Sequence, residues 1–325
     1  MRYKTKILGL CLLAAGLSVS LLLGAFYSYR GSESRSVRPF PSFLRTGTIG
    51  RLEFYNGEEK ITLSAADTAG KAGRSWTVLI NGKSFPAAGS KADRFLELLD
   101  GASLFPPVTE NPENWGLFAL EDTAQKRIGI SGSSGGTEIL LGKEEEAGRG
   151  QYIRFAGSNA VYLASQSFSY YVERDSAYWS DLRIFPASLA AADVIAMQAK
   201  GGLENPEGTA EVSYSVYRDR RPEGVMWVAE DGGSPDQAKA DALAVSVTQI
   251  SAKAFAPDTD SSAAGLDSPQ AVIGFTASNQ TRYELRLGRA DAAGNRYCAA
   301  GINSEPLPYI YLLDPQTAGK ISGSP

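Results

Sequence analysis

Short runs in which apolar and polar residues alternate recur along the chain: "KRIGISG" at 126–132, "TEILLG" at 137–142, "QYIRF" at 151–155 and "AVYLA" at 160–164, separated by Gly-rich turns. A period of two puts successive side chains on opposite faces, so these runs predict short antiparallel strands with one buried face. Two other stretches carry helical spacing instead. "SKADRFLELL" (90–99) offers Ser90 as N-cap and places Phe95, Leu98 and Leu99 together. "SPDQAKADALAVSVTQI" (234–250) offers Ser234 as cap, Pro235 at the first helical position, Gln237 to complete a capping box, and Leu243, Val247 and Ile250 on one face.

The pattern is written twice. "TEILLGKEEEAGRGQYIRF" (137–155) is echoed by "RYELRLGRADAAGNRYCAA" (282–300), each a strand ending in Leu-Gly, a charged turn, and a Tyr opening the next strand. Further pairs are Trp76 with Trp227, the Lys-Ala-Asp steps at 91–93 and 239–241, Phe105 with Phe255, Gly116-Leu117 with Gly265-Leu266, Gly142 with Gly288, Tyr152 with Tyr297, and Tyr162 with Tyr311. Self-similarity at a nearly constant period is the mark of a repeated unit. The expected fold is therefore α+β: two tandem antiparallel-sheet units with one main helix each. The first covers 45–181 and the second 182–315, with a short tail at 316–325.

The junction "SQSFSYYVERDSAYWSDLRIFP" (165–186) begins as a helix carrying Phe168, Tyr171 and Val172 inward and leads into the strand "DVIAMQA". Its aromatic crowding at Tyr170, Tyr171, Tyr178 and Trp179 has two readings, an inter-domain packing cluster or a stacking platform for a partner or ligand.

Ahead of these units, "ILGLCLLAAGLSVSLLLGAFY" (7–27) is uncharged and follows Arg2, Lys4 and Lys6. At 1.5 Å per residue it reaches across the roughly 30 Å hydrocarbon layer. It is longer than the apolar core of a cleaved signal peptide and lacks a clean small-x-small site after it. Leu10 is bulky where a small residue would precede a lipidated Cys11. Residues 1–30 thus read as a retained anchor with a cytoplasmic N-terminus, and 31–44 as a Ser- and Pro-rich stalk. The units then lie on the extracytoplasmic, periplasmic side of the cytoplasmic membrane.

Composition narrows the chemistry. The 325 residues contain no histidine, which excludes Ser-His-Asp and Cys-His catalysis and His-based metal sites. A net charge of −4 with interspersed signs offers no basic stripe for nucleic acid. Cys11 and Cys298 have no CxxC or CxxH neighbour, so no metal or cofactor is indicated. "EEE" at 144–146 falls on a hairpin tip and reads as a solvated turn. "GISGSSGGTE" (129–138) lacks the Gly-Lys-Ser/Thr ending and following helix of a phosphate loop. Lys91 and Lys239 read as solvated helix residues, Trp76 and Trp227 as core anchors, and Cys298, where the first copy has Ile153, as a buried inert thiol.

The Trp-x-Val strand end, the helix closing in Leu-Leu, the Leu-x-Leu-Gly step before a Tyr-opened strand, the Val-Tyr after it and the Asp-Leu-Arg step resemble a domain of unknown function. That domain occurs in single-pass proteins encoded beside gliding-type ABC exporter genes. The resemblance covers roughly residues 45–315 in two copies. It implies a non-enzymatic, membrane-anchored extracytoplasmic accessory subunit, acting through protein-protein contacts with an ABC transporter permease and ATPase. The alternative is an extracytoplasmic module binding a glycan or lipid through an inter-domain aromatic groove at Tyr170, Tyr171, Tyr178 and Trp179.

Overall fold

The computed structural model describes residues 38–40, 49–66 and 75–325, apart from 134, 147, 149, 206, 207 and 223. The expected anchor, and the stalk except residues 38–40, lie outside the described residues. Among the described residues no helix is long and apolar enough to cross a membrane.

The chain is built mainly of antiparallel strands. The first half supplies β1 (Arg38–Pro39), β2 (Ile49–Asn56), β3 (Glu59–Ala66), β4 (Ser75–Ile80), β5 (Lys83–Pro86), β6 (Ser103–Leu104), β7 (Lys126–Gly132), β8 (Gly135–Glu144), β9 (Gln151–Phe155) and β10 (Val161–Ala164). The second supplies β11 (Val194–Asn205), β12 (Gly208–Arg221), β13 (Gly224–Ala229), β14 (Ala254–Phe255), β15 (Ala271–Ala277), β16 (Arg282–Ala290), β17 (Arg296–Ile302) and β18 (Glu305–Leu313). Among the described residues α-helices are few: α1 (Gly89–Gly101), the single turns α2 (Ser169–Val172) and α3 (Ser176–Trp179), α4 (Gln237–Thr248) and α5 (Pro315–Ser322).

This corrects the α+β expectation: the described residues are mostly antiparallel β, in sheets of ten and eight strands. The physical reason lies in β2, β3 and the long β11–β12 hairpin. These strands expose one polar face, and their mixed patterning hid them beside the better-marked helices. "IGRLEFYN" buries Ile49, Leu52 and Phe54, while "GTAEVSYSVYRDRR" buries only Val212 and Val216.

The first sheet runs β1-β6-β10-β9-β8-β7-β2-β3-β4-β5 and the second β13-β12-β11-β15-β16-β17-β18-β14. Reversed, the second order matches β6-β10-β9-β8-β7-β2-β3-β4 strand for strand, with β1 and β5 as additions to the first. Register agrees. Leu141 faces Ile153 across β8 and β9, as Leu287 faces Cys298 across β16 and β17. Gly142 and Gly288 hold the same place. A Cβ on Gly142 would run into the Phe118 carbonyl and come within 2.8 Å of Leu120 Cγ, and one on Gly288 would run into the Ala264 carbonyl and come within 3.2 Å of Leu266 Cδ2. The Gly-Leu echo is shifted by three residues. Ala119-Leu120, not Gly116-Leu117, stands where Gly265-Leu266 does, with Ala119 (φ 56°) and Gly265 (φ 70°) both left-handed.

By packing, the described residues divide into two units, those up to 62 together with 93–173, and those of 63–92 together with 174–325. In the first unit Phe54, Phe95 and Tyr171 form the aromatic core, with ring centroids 5.0 and 5.2 Å apart. In the second, Phe275 stacks on Tyr283 at 4.9 Å and Phe185 meets both edge-on. Burying each such ring contributes about 1.5–3 kcal/mol. The β4–β5 hairpin belongs to the second unit, where Phe85 stacks on Phe255 at 4.5 Å.

Candidate functional site: the polar face of the second sheet

Pleat alternation along β11, β15 and β16 sends Met197, Ala199, Ile273, Phe275, Leu285 and Leu287 into the core. The intervening residues form the opposite face. Pairing sets them in rows: Ser215 faces Gln198, Gln198 faces Gly274, and Gly274 faces Glu284. One row over lie Ser213, Lys200, Val272 and Arg286, and on the other side Tyr217, Ala196, Thr276 and Arg282.

Two concavities open on this face, with volumes of about 940 and 640 Å³. Gln198, Ser215, Glu230, Gly274 and Glu284 line both. Lys200, Ser213 and Asp231 complete the larger, and Tyr217, Thr276 and Arg282 the smaller. The floor is low because Gly274 has no side chain. A Cβ there would stand 3.3 Å from Gln198 Nε2.

One wall is the turn after β13. The Glu230 N–H donates to the Ser215 carbonyl at 3.0 Å, and Asp231 Oδ1 accepts from the Gly233 N–H at 2.9 Å. The turn then enters α4, capped by Asp236 through the N–H groups of Ala238 and Lys239. Gln237 fixes helix to strand, accepting from the Trp227 N–H at 2.7 Å and donating to the Trp227 carbonyl at 2.9 Å. Ser324 and Pro325 of the C-terminal stretch also line the larger concavity, while on the opposite face of β12 the Tyr214 hydroxyl donates to the Ile321 carbonyl at 3.2 Å. Burial pushes the Tyr214 phenol up, so it stays neutral.

The charges on the face are mixed. Arg286 Nε donates to Glu284 Oε1 at 2.7 Å, neutralising that carboxylate. The Gln198 carboxamide, the Lys200 ammonium and the Glu230 carboxylate have no hydrogen-bond or ionic partner among the described residues and face solvent. This array donates and accepts hydrogen bonds. No group of three His, Cys, Asp or Glu able to hold a metal occurs among the described residues.

The four aromatics singled out from the sequence are divided between the units, Tyr170 and Tyr171 in the first and Tyr178 and Trp179 in the second. Tyr171 is buried against Phe95, and Tyr170 is half exposed. Trp179 is fully buried, with Tyr178 packed edge-on at 5.1 Å. Lys91 is not a solvated helix residue. Its ammonium donates to the Tyr178 carbonyl at 2.6 Å and lies 4.3 Å from that ring's centre. Trp76, Trp227 and Cys298 are buried. Sequence reading missed Gln198, Gly274 and Glu284, because strands β11, β15 and β16 bring together positions widely separated in the chain. The alternation within β15 was the one local signal.

These features define a two-sheet antiparallel β protein with a polar concave sheet face. The chain belongs to the DUF4340 family, a domain of unknown function, whose model matches residues 76–269. A Treponema pallidum (strain Nichols) protein described as "Uncharacterized protein" is 23% identical over 133 residues, 40% of this chain and 42% of the relative. The match thus spans less than half the length of that relative. No solved structure matches.

Proposed function

We propose that the protein is a non-enzymatic, single-pass membrane-anchored accessory subunit of an ABC transport system, working outside the cytoplasm through protein-protein contacts of two copies of one β unit. The observation that carries this reading is the free edge of β12. Strand β13 pairs only with Val216–Arg221, and on that side the backbone from Gly208 to Tyr214 has no strand partner among the described residues. An unpaired edge of this kind receives an extended segment of another chain by strand addition, with main-chain hydrogen bonds giving affinity. The matching strand orders of the two sheets support the reading as two copies, and linking two such modules raises the effective concentration of the second contact. The resemblance to proteins encoded beside gliding-type exporters supplies the partner class, a permease with its ATPase.

The test is co-purification of the full chain from detergent-solubilised membranes, with a photo-crosslinking residue at Ala210 and, as control, at Gly319. The expected result is recovery of transporter subunits and adducts from position 210 alone. Repeated recovery without any transporter subunit, or adducts only from 319, overturns the proposal.

A further inference from the structure

We propose that the polar face of β11, β12, β15 and β16 is a binding site for a neutral oligosaccharide. This goes beyond the accessory role and stands on different residues.

The chemistry of the lining selects the ligand class. Gln198 offers both a donor and an acceptor, Lys200 a donor and Glu230 an acceptor, and none of the three has a partner among the described residues. Sugar hydroxyls are donor and acceptor at once, so they satisfy such a mixed set without demanding a net charge. An apolar ligand would strip water from these groups with nothing in return. An anionic ligand would meet the carboxylates of Glu230 and Asp231. Lys200 and Arg282 oppose a cation, and Glu284 is already paired with Arg286.

Shape points the same way. The concavities are open to solvent and share their central residues. Together they suit an extended chain of rings lying across the strands. Ser215 and Gly274 keep the floor low between the taller side chains on either side. Tyr217, 43% exposed, stands on the rim of the smaller concavity. An aromatic ring at such a rim offers an apolar surface to the C–H face of a pyranose while its hydroxyl stays wet.

The experiment titrates the full chain, held in a zwitterionic detergent without a sugar headgroup, with maltohexaose, cellohexaose, mannohexaose and chitohexaose by isothermal calorimetry. At least one is expected to bind. Tyr217→Ala and Gln198→Ala should each weaken that binding tenfold or more, and Gly274→Val should abolish it by filling the floor. Tyr170→Ala, on the other unit, should leave it unchanged. Circular dichroism confirms that each variant is folded; if Gly274→Val is not, the other two decide. Absence of binding across the panel, binding indifferent to Tyr217→Ala and Gln198→Ala, or a preference for an anionic oligosaccharide such as a heparin hexasaccharide overturns the proposal. Transporter co-purification is read separately, so either result can fail without the other.

Discussion

The Arg154 guanidinium lies 3.7 Å from the centre of the Trp115 ring, and the two residues lock the segment before β7 onto β9 and β10. Arg154 is buried, donating to the carbonyls of Leu120 at 3.1 Å and Ser158 at 3.2 Å and pairing with Asp122 at 2.6 Å. Trp115 Nε1 donates to the Asn159 carbonyl at 3.0 Å. Arg154→Met leaves two carbonyls without their donor and is expected to cost about 2–4 kcal/mol. Trp115→Leu loses the cation–π contact and one hydrogen bond, about 1–2 kcal/mol. Urea unfolding of the two variants, and of the double variant to read their coupling, checks both figures.

Gly142 and Gly288 exclude a side chain for the same reason, a carbonyl of the preceding loop lying against each. Gly142→Ala and Gly288→Ala are therefore expected to destabilise by about 1–3 kcal/mol or more, through overpacking. Gly50, in β2, has an ordinary φ and nothing within 4 Å of where a Cβ would stand. Gly50→Ala should change stability little, and thermal melts of the three variants give the comparison.

Acid should weaken the second unit through Asp291 and Asp314. Hydrogen bonds from the Asn295 side chain and backbone hold the Asp291 carboxyl below its usual 3.8, and the Thr317 hydroxyl and N–H do the same for Asp314. A carboxyl depressed on folding contributes fully above its unfolded value and loses that contribution as pH falls through the folded one. Urea midpoints of the Asp291→Ala, Asp314→Ala double variant should lie below wild type at pH 6, and the gap should narrow as pH falls below the usual 3.8 of these carboxyls.

Cys298 is fully buried, and burial pushes its thiol up. In a Cys11→Ser background, Ellman's reagent should label nothing in the folded chain at pH 8 and one thiol in denaturant. Prompt labelling without denaturant would contradict the position of β17 in the sheet.

Much of this fold was legible. The runs at 126–132, 151–155 and 160–164 became β7, β9 and β10 because their apolar residues alternate and are bounded by glycine-rich turns. The α4 helix was legible too, although its cap is Asp236 rather than Ser234. Gln237, expected to close a capping box, ties down Trp227 instead, a tertiary contact that local spacing cannot announce. Strands β2, β3 and β12 were not legible, since an irregularity at Gly50 breaks the alternation of β2, and β3 and β12 bury too few apolar side chains, Leu63 in the one and Val212 and Val216 in the other, to mark a period of two. The concave face escaped for a different reason: Gln198, Gly274 and Glu284 become neighbours only through register.

The place of the β4–β5 hairpin in the second unit has a consequence for synthesis on the ribosome. Asn81 donates to Asp258 across 177 residues of sequence, and Lys83 to the Pro257 carbonyl beside it. At the roughly 5–20 residues per second of translation, the hairpin waits about 10–35 s for these partners to be made. During that interval Phe85 has no Phe255 to stack on, and the emerging chain carries an exposed aromatic strand. The second unit thus cannot complete its packing until nearly the whole chain has been made.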